Sequence, residues 1–369
     1  MKKFLLTALM CFTFLFTGCG GGSDTNSEST NPAPVENTQT ETNSPKTETV
    51  AQVEETPAVG ENNQAAEPTP KPKKQVKGNL KITMLNVGQG DAFLIQTKTQ
   101  NILIDTSDQD ERTKLVNELD KAGVTTFDKI ILTHPHADHI GGIEKLLKDK
   151  KFTVKEVYDN GIASTNKLYL NYMKELKNQK IQHVSLTAGD VLDFGDGVTF
   201  NVLYPTKDLV KAVNDGAEKT DPNNESVVGR LVYKKFSMMF TGDAERKVES
   251  EVWADNDAKN LRCNILKAGH HGSYTASTEN FVQTVKPSYV LISAGEPTDK
   301  RGGNTYGHPH LEPLENYLAE GIPTENIFWT WKNGTVTIVS NGKDFSVTPE
   351  VEEDWVEQWI AEKKKSSKK

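Results

Sequence analysis

Three imidazoles and a carboxylate within six residues, His134-x-His136-x-Asp138-His139, constrain this chain more than any other feature. The motif follows Lys129 to Leu132, a short run that reads as a strand, and precedes Gly141-Gly142. At the mouth of a strand these donors converge only if the loop wraps around cations, because histidine clustered with aspartate is the pattern that metal ligation requires. The remaining histidines repeat the theme. Seven of the eight lie in three tight clusters, and His183 alone stands apart. Phe240-Thr241-Gly242-Asp243 is a strand end that delivers a further carboxylate. Leu266-Lys267-Ala268-Gly269-His270-His271-Gly272-Ser273 is another strand running into a histidine pair, and Tyr306-Gly307-His308-Pro309-His310 supplies the last pair.

The chain around these motifs is built in unequal parts. Lys2 and Lys3 precede an apolar stretch, Phe4 to Phe16, that is too short to span a bilayer comfortably and has the form of a secretory signal. It ends in Phe16-Thr17-Gly18-Cys19, which resembles a bacterial lipobox. Residues 1–18 are therefore expected to be a lipoprotein signal peptide and Cys19 the lipidation site. Diacylglycerol plus an amide-linked chain satisfies the two-chain requirement for stable anchoring. The expected location is extracytoplasmic, lipid-anchored to the bacterial cell membrane. Residues 19–78 are rich in Thr, Asn, Glu, Pro, Gln and Ala and have no hydrophobic period, which predicts a disordered polar linker acting as a tether.

Of the net charge of −8, residues 1–77 carry seven lysines and nine acids, so −6 remains on the rest. An acidic body argues against a general basic coat for nucleic acid, though bound metal can make a local cationic site. Cys11 leaves with the signal and Cys19 carries lipid, so only Cys263 remains, in the strand-like run Leu261 to Leu266. A disulfide-stapled scaffold is excluded.

From Leu80 onward, short apolar runs alternate with segments of helical spacing. Strands are predicted at Leu80–Asn86, Ala92–Gln96, Asn101–Ile104, Lys129–Leu132, Val154–Tyr158, Val198–Leu203, Ser226–Tyr233, Phe236–Phe240, Leu261–Leu266, Tyr289–Ile292, Ile327–Thr330, Thr335–Val339 and Phe345–Thr348. Helices are predicted at Arg112–Ala122, Ile143–Leu147, Asn166–Asn178, Ala244–Ala254, Thr278–Val285 and Leu311–Leu318. Strands dominate each half with helices between them, an α/β pattern of two sheets packed between helices. The folded body spans 79–348. Residues 349–369, with Trp355, Trp359 and the basic run Lys363 to Lys369, read as a surface helix with a frayed basic end.

Taken together, the histidine motifs, Leu85-Asn86-Val87-Gly88-Gln89-Gly90-Asp91-Ala92, Ile102-Leu103-Ile104-Asp105-Thr106 and Asn224-Glu225-Ser226-Val227-Val228 resemble the metallo-β-lactamase fold superfamily of hydrolases. Within it they are most similar to the hydrolase domain of the ComEC DNA-uptake protein, a competence protein. The resemblance implies an αββα sandwich of two mixed sheets flanked by helices. It also implies two divalent metal ions, zinc or manganese. His134, His136 and one of His270 or His271, with His271 favoured, would hold the first. Asp138, His139 and His308 would hold the second, with His308 preferred to His310, and Asp243 would bridge them. Asp105 would orient a ligand histidine, and His270 would act from outside the ligand set. One departure is Asn86, where this branch often has Asp. Another is the long loop Ala294 to Tyr306 before His308, which can reshape the pocket rim.

Two such cations acidify a shared water towards neutrality, and that hydroxide is the expected nucleophile, with Asp138 accepting its hydrogen bond. Asp138 and His270 are thus the expected catalytic residues. Asn224, Lys267 and Ser273 are the expected contacts to substrate phosphate. Gly88-Gln89-Gly90 reads as a hairpin turn rather than a phosphate cradle. Three function classes follow: a surface-anchored phosphodiesterase acting on DNA or another extracellular phosphodiester, a hydrolase of a small ester, lactone or β-lactam, and a non-catalytic binding module. A full ligand set disfavours the last, and Asp138-His139 with the Gly-His-Pro pattern favours phosphodiesters over β-lactams. No protein partner is predicted, and the lack of a long apolar segment after Cys19 separates the chain from a complete uptake channel.

Overall fold

The computed structural model describes residues 75–300 and 303–366. The signal segment, Cys19, nearly all of the linker and the last three residues of the basic tail lie outside the described residues. β1 (Leu80–Met84), β2 (Phe93–Gln96), β3 (Asn101–Ile104), β4 (Thr126–Ile131), β5 (Thr153–Asp159) and β6 (Gln182–Ser185) start one sheet. The second sheet takes β7 (Val191–Asp193), β8 (Val198–Tyr204), β9 (Val228–Tyr233), β10 (Phe236–Phe240), β11 (Ile265–Lys267), β12 (Tyr289–Ile292) and β13 (Ile327–Trp329). β14 (Val336–Ser340) and β15 (Phe345–Pro349) return to the first sheet beside β1. Each sheet is mixed: β3 to β6 run parallel in one and β10 to β13 in the other, while the remaining pairs are antiparallel.

The sequence dictates this layering through the period of burial. β8 alternates buried and half-buried residues, so Val198, Phe200 and Val202 enter the space between the sheets. Every residue of β10 is buried, because Phe236, Met238 and Phe240 face the other sheet while Met239 meets helices behind. A strand covered on both faces reads as a continuous apolar run, as this one does. Across the interface Phe93 and Phe240 pack edge to face with ring centres 5.4 Å apart, worth about 1 kcal/mol beyond area burial. Leu115, Leu119, Leu146 and Leu176 cover the outer face of the first sheet, and Val248, Val252, Phe281, Leu314 and Tyr317 that of the second. The architecture is the expected αββα sandwich.

Several local expectations change. Ala258–Leu261 is a helical turn and the strand begins only at Ile265, so Cys263 lies before it, buried, with its thiol donating to the Ile265 carbonyl at 3.0 Å. β6, β7 and the helix Lys207–Asn214 were not predicted: the two strands are short, and the helix, though amphipathic, buries none of its residues. The tail is no appendage. Trp355 and Val356 lie in the core beneath the helix Val356–Ser366, with the Trp355 indole donating to the carbonyl of Ile327 and to Asn333. Among the described residues no helix is long and apolar enough to cross a membrane.

Candidate metal centre

The parallel strands of both sheets end at one edge, and their carboxyl ends deliver the polar residues. β3 leads to Asp105, β4 to Thr133 and His134, β10 to Asp243, β11 to His270 and His271, and β12 to Ser293. Ligands gather in this crevice because the strand ends leave backbone free to turn. Asp105, His270 and His271 take left-handed backbone (φ 59°, 45° and 54°), a cost of about 1–3 kcal/mol each that the surroundings must hold. Gly90 lets a neighbouring loop pack behind the histidine motif. A β-carbon there would lie 2.2 Å from the Asp138 carbonyl, the same carbonyl that accepts from Asp91 N–H at 3.0 Å. On the other side Asn166 caps the helix Lys167–Gln179 and donates to the Pro135 carbonyl, tying the motif to that helix.

Hydrogen bonds fix which nitrogen of each imidazole faces inward. Asp105 is the hub: Oδ1 accepts from Thr133 N–H, and Oδ2 accepts from the Thr133 hydroxyl and from His139 Nδ1–H, all at 2.8 Å. The Thr133 hydroxyl, having donated to Asp105, can accept from His134 Nδ1–H at 3.2 Å, and the Ser226 hydroxyl lies 3.3 Å from the same nitrogen. His271 Nδ1–H donates to the Ser293 carbonyl at 2.7 Å. These three histidines are thereby left with Nε2 free, the outer-partner arrangement that orients metal ligands.

The free atoms converge. His139 Nε2 and His271 Nε2 are 3.3 Å apart, with Asp243 Oδ1 at 3.1 and 3.4 Å from them and Asp138 Oδ2 at 3.2 Å from His271 Nε2. His134 Nε2 is 3.0 Å from His136 Nδ1 and 3.8 Å from Asp243 Oδ2. Ligand atoms thus form two groups, Asp138–His139–Asp243–His271 and His134–His136–Asp243, joined by Asp243. His308 packs beside them, its ring 6.1 Å from that of His271, and its buried Nδ1 has no hydrogen-bond partner.

The charge balance asks for cations. Lys267 neutralises Asp91 at 2.6 Å, leaving Asp105, Asp138 and Asp243 buried or facing the cluster. Burial disfavours protonated His139 and His271, yet the carboxylate of Asp243, with Asp105 for the one and Asp91 for the other, outweighs it and holds both imidazoles well above their ordinary value. Burial would raise Asp138, but its His271 hydrogen bond and the neighbouring imidazoles hold it far below the carboxylate range. Burial and the adjacent imidazoles push His308 down to about 2, so it stays neutral with a lone pair available. Asp243 Oδ1 is buried and accepts no aligned hydrogen bond. Facing lone pairs and excess carboxylate are what divalent ions would satisfy in place of protons, so the residues present fit two such ions.

Comparison with known proteins agrees with this geometry. Residues 85–296 match the family model of the metallo-beta-lactamase superfamily. The chain belongs to that superfamily. It is 30% identical over 273 residues to ComE operon protein 3 of Bacillus subtilis (strain 168), covering 69% of this chain and 32% of that protein. It is 29% identical over 243 residues to the competence protein ComA of Neisseria gonorrhoeae, covering 65% of this chain and 30% of that protein. The chain therefore spans about a third of the length of these curated relatives. Among solved structures, a metallo hydrolase of Ignicoccus hospitalis is similar at 13% identity and a TM-score of 0.43, covering 70% of this chain and 98% of that one. Superfamily and ligand clusters together give the protein a candidate divalent-metal centre of this fold.

Set against the superfamily pattern expected from sequence, the structure redistributes some residues. His271 groups with Asp138 and His139, not with His134 and His136. His270 lines the pocket instead, its Nδ1 3.1 Å from Glu245 and its Nε2 3.7 Å from Asp243. Lys267 cannot touch substrate phosphate as expected. It is 1% exposed, and its ammonium is consumed by Asp91 and by the Gly242 carbonyl at 2.7 Å. Asn224 is also turned away from that role. It is buried, accepting from Glu245 N–H and donating to Asp221, so it braces the turn after Asp243, and its neighbour Asn223 lines the pocket. Ser273 does line the pocket. His310 is held by two hydrogen bonds, accepting from Tyr274 N–H and donating to the Tyr306 carbonyl, both at 3.1 Å, which leaves neither nitrogen for a metal. Sequence reasoning gave no role to Asp91, Ser226, Glu245 or Asn304. Asn304 is fully buried and clamps both the N–H and the carbonyl of His308. Its signal was only an Asn in a glycine-rich loop.

Proposed function

We propose that the protein is a phosphodiesterase, anchored outside the cell through Cys19. The observation that carries the reaction class is the floor of the pocket. It holds two joined ligand groups with the carboxylates of Asp138 and Asp243, at the bottom of a cleft of about 650 Å³ whose lining includes three aspartates and four histidines. Carboxylate oxygens suit hard cations, and cations held there would suit a charged phosphoryl group. His134, His136 and Asp243 would hold one ion, and Asp138, His139, Asp243 and His271 the other, with His308 adjacent. When bound, such ions acidify water and offset charge on a phosphoryl oxygen.

The chain's own residues supply the rest. Asp138, partly open to the pocket and approached by the Gln89 amide at 3.4 Å, can accept a hydrogen bond from the attacking water. Glu245 holds the His270 Nδ1 proton, so His270 Nε2 faces the pocket and can exchange a proton with the leaving oxygen. Kinship with two competence proteins supports, without identifying, a nucleic-acid substrate.

The test is a panel assay of purified protein loaded with zinc or manganese. Its substrates are single-stranded and duplex DNA, bis-nitrophenyl phosphate, phosphorylcholine esters and nitrocefin. Hydrolysis of phosphodiesters above nitrocefin is expected, and the reverse order would overturn the reading. For the anchor, Cys19→Ala should shift the protein from the membrane fraction to the soluble one.

A further inference from the structure

Only five large apolar or aromatic side chains stand exposed among the described residues, and two of them, Tyr306 at 73% and Tyr274 at 54%, are the aromatic ones. Both line the metal pocket. Exposed aromatic side chains gathered at the rim of a pocket, unlike scattered ones, point to a binding surface. The two rings are also the ends of a continuous row. Tyr274 lies 5.1 Å from His310, His310 4.8 Å from His308, and His308 5.7 Å from Tyr306, all between ring centres. His310 rivets the row, because its two nitrogens bond the backbone of Tyr274 and of Tyr306. The helix Val356–Ser366 braces the same loop from behind: Trp359 donates to the Pro309 carbonyl at 2.9 Å and Lys363 to the Gly307 carbonyl at 2.8 Å. A fixed aromatic wall therefore stands beside the ligand groups.

Charge says what this wall would take. Among the described residues that line the pocket there is no lysine or arginine, while Asp108, Asp138 and Asp243 are there. A duplex, held mainly by phosphate contacts, would find no cationic side chain among the described lining residues, and its bases are stacked inside, out of reach. An unpaired strand offers planar bases that stack on aromatic rings whatever the sequence. From these observations we infer that Tyr274 and Tyr306 form a base-stacking subsite, which makes single-stranded nucleic acid the substrate class. The inference rests on the phosphodiesterase reading.

The experiment compares the metal-loaded full chain with Tyr274→Ala, Tyr306→Ala and the matching Phe variants. The probes are oligothymidylate, oligouridylate and an abasic deoxyribose-phosphate strand of the same length, and both cleavage and equilibrium binding of uncleavable phosphorothioate versions are read. Each Ala variant should weaken binding of the base-bearing strands by about tenfold, the scale of one lost base–aromatic stack. Binding and cleavage of the abasic strand should hold, metal content should stay unchanged, and Phe should restore the loss. A preference between the two base-bearing strands then tells DNA from RNA, and either supports the inference. Cleavage of all strands with no dependence on the tyrosines, or an equal loss on the abasic strand, overturns the subsite and leaves the phosphodiesterase standing. Tyrosine dependence confined to a phosphorylcholine ester overturns it in favour of a cage for quaternary ammonium. Failure to cleave any strand while bis-nitrophenyl phosphate is cleaved overturns the subsite alone, and failure to cleave any phosphodiester while nitrocefin is cleaved overturns both readings.

Discussion

Replacing Asp105 by Asn tests how the metal centre is oriented. Asp105 is 1% exposed and only accepts hydrogen bonds: Thr133 N–H on Oδ1, Thr133 hydroxyl and His139 Nδ1–H on Oδ2, each at 2.8 Å. Asn keeps the shape but puts an NH2 at one of those places. If its oxygen stays with Thr133 N–H, the NH2 faces His139 Nδ1, which must then accept. The His139 proton moves to Nε2, the atom 3.1 Å from Asp243 and 3.3 Å from His271, and the nitrogen meant for a cation is blocked. If the amide flips, NH2 meets Thr133 N–H, and a buried unsatisfied donor costs about 1–3 kcal/mol. Loss of such an outer partner lowers metal affinity roughly 10–100-fold, about 1.4–2.7 kcal/mol. The effect should fall mainly on the Asp138–His139–His271 group, since His134 is reached from Asp105 only through Thr133. Elemental analysis after equilibration against buffered zinc should show one ion per Asp105→Asn chain at a free concentration where the parent holds two. Two ions bound with parental affinity would refute the argument that this carboxylate sets the tautomer.

Three further outcomes follow. Asp138→Ala should cut phosphodiester hydrolysis by at least about a hundredfold, the scale of one well-placed catalytic group, with an unchanged circular dichroism spectrum, because the side chain is not part of the apolar core. Trp355→Ala, at a position 2% exposed with its indole bonded to Ile327 and Asn333, should cost about 3–5 kcal/mol in chemical denaturation, whereas a dispensable surface tail would show no change. Burial raises Glu249 to about 7, against the bonds it accepts from Ser277 and Thr278. A carboxyl raised in the folded state favours the fold below its unfolded value and loses that contribution as pH climbs through the folded one. The melting temperature should therefore fall between about pH 4.5 and 7, and Glu249→Gln should flatten that slope.

Much of the site was legible because its chemistry is local in sequence. His134, His136, Asp138 and His139 share one loop, and a loop of that composition has few uses besides cations. Strand runs around Asp243 and His271 placed those residues at strand ends by period alone, and the same periods gave two sheets between helices. Lys267 and Asn224 were misread for one physical reason. Sequence shows that a residue lies beside a motif but not which way its strand or turn points it, and Lys267 points inward to a buried Asp91. The pairing of His271 with Asp138 and His139, separated from it by more than a hundred residues, depends on how one sheet stacks on the other. So does the embrace of the loop carrying His308 by Asn304, His310 and the C-terminal helix. Residue type and spacing determined the donor set and the layering, since these follow from ligand preference and periodicity. The packing of distant strand ends alone decided which donors share an ion, which nitrogen each histidine presents and where the aromatic wall stands, because contact between the sheets has no period in the chain.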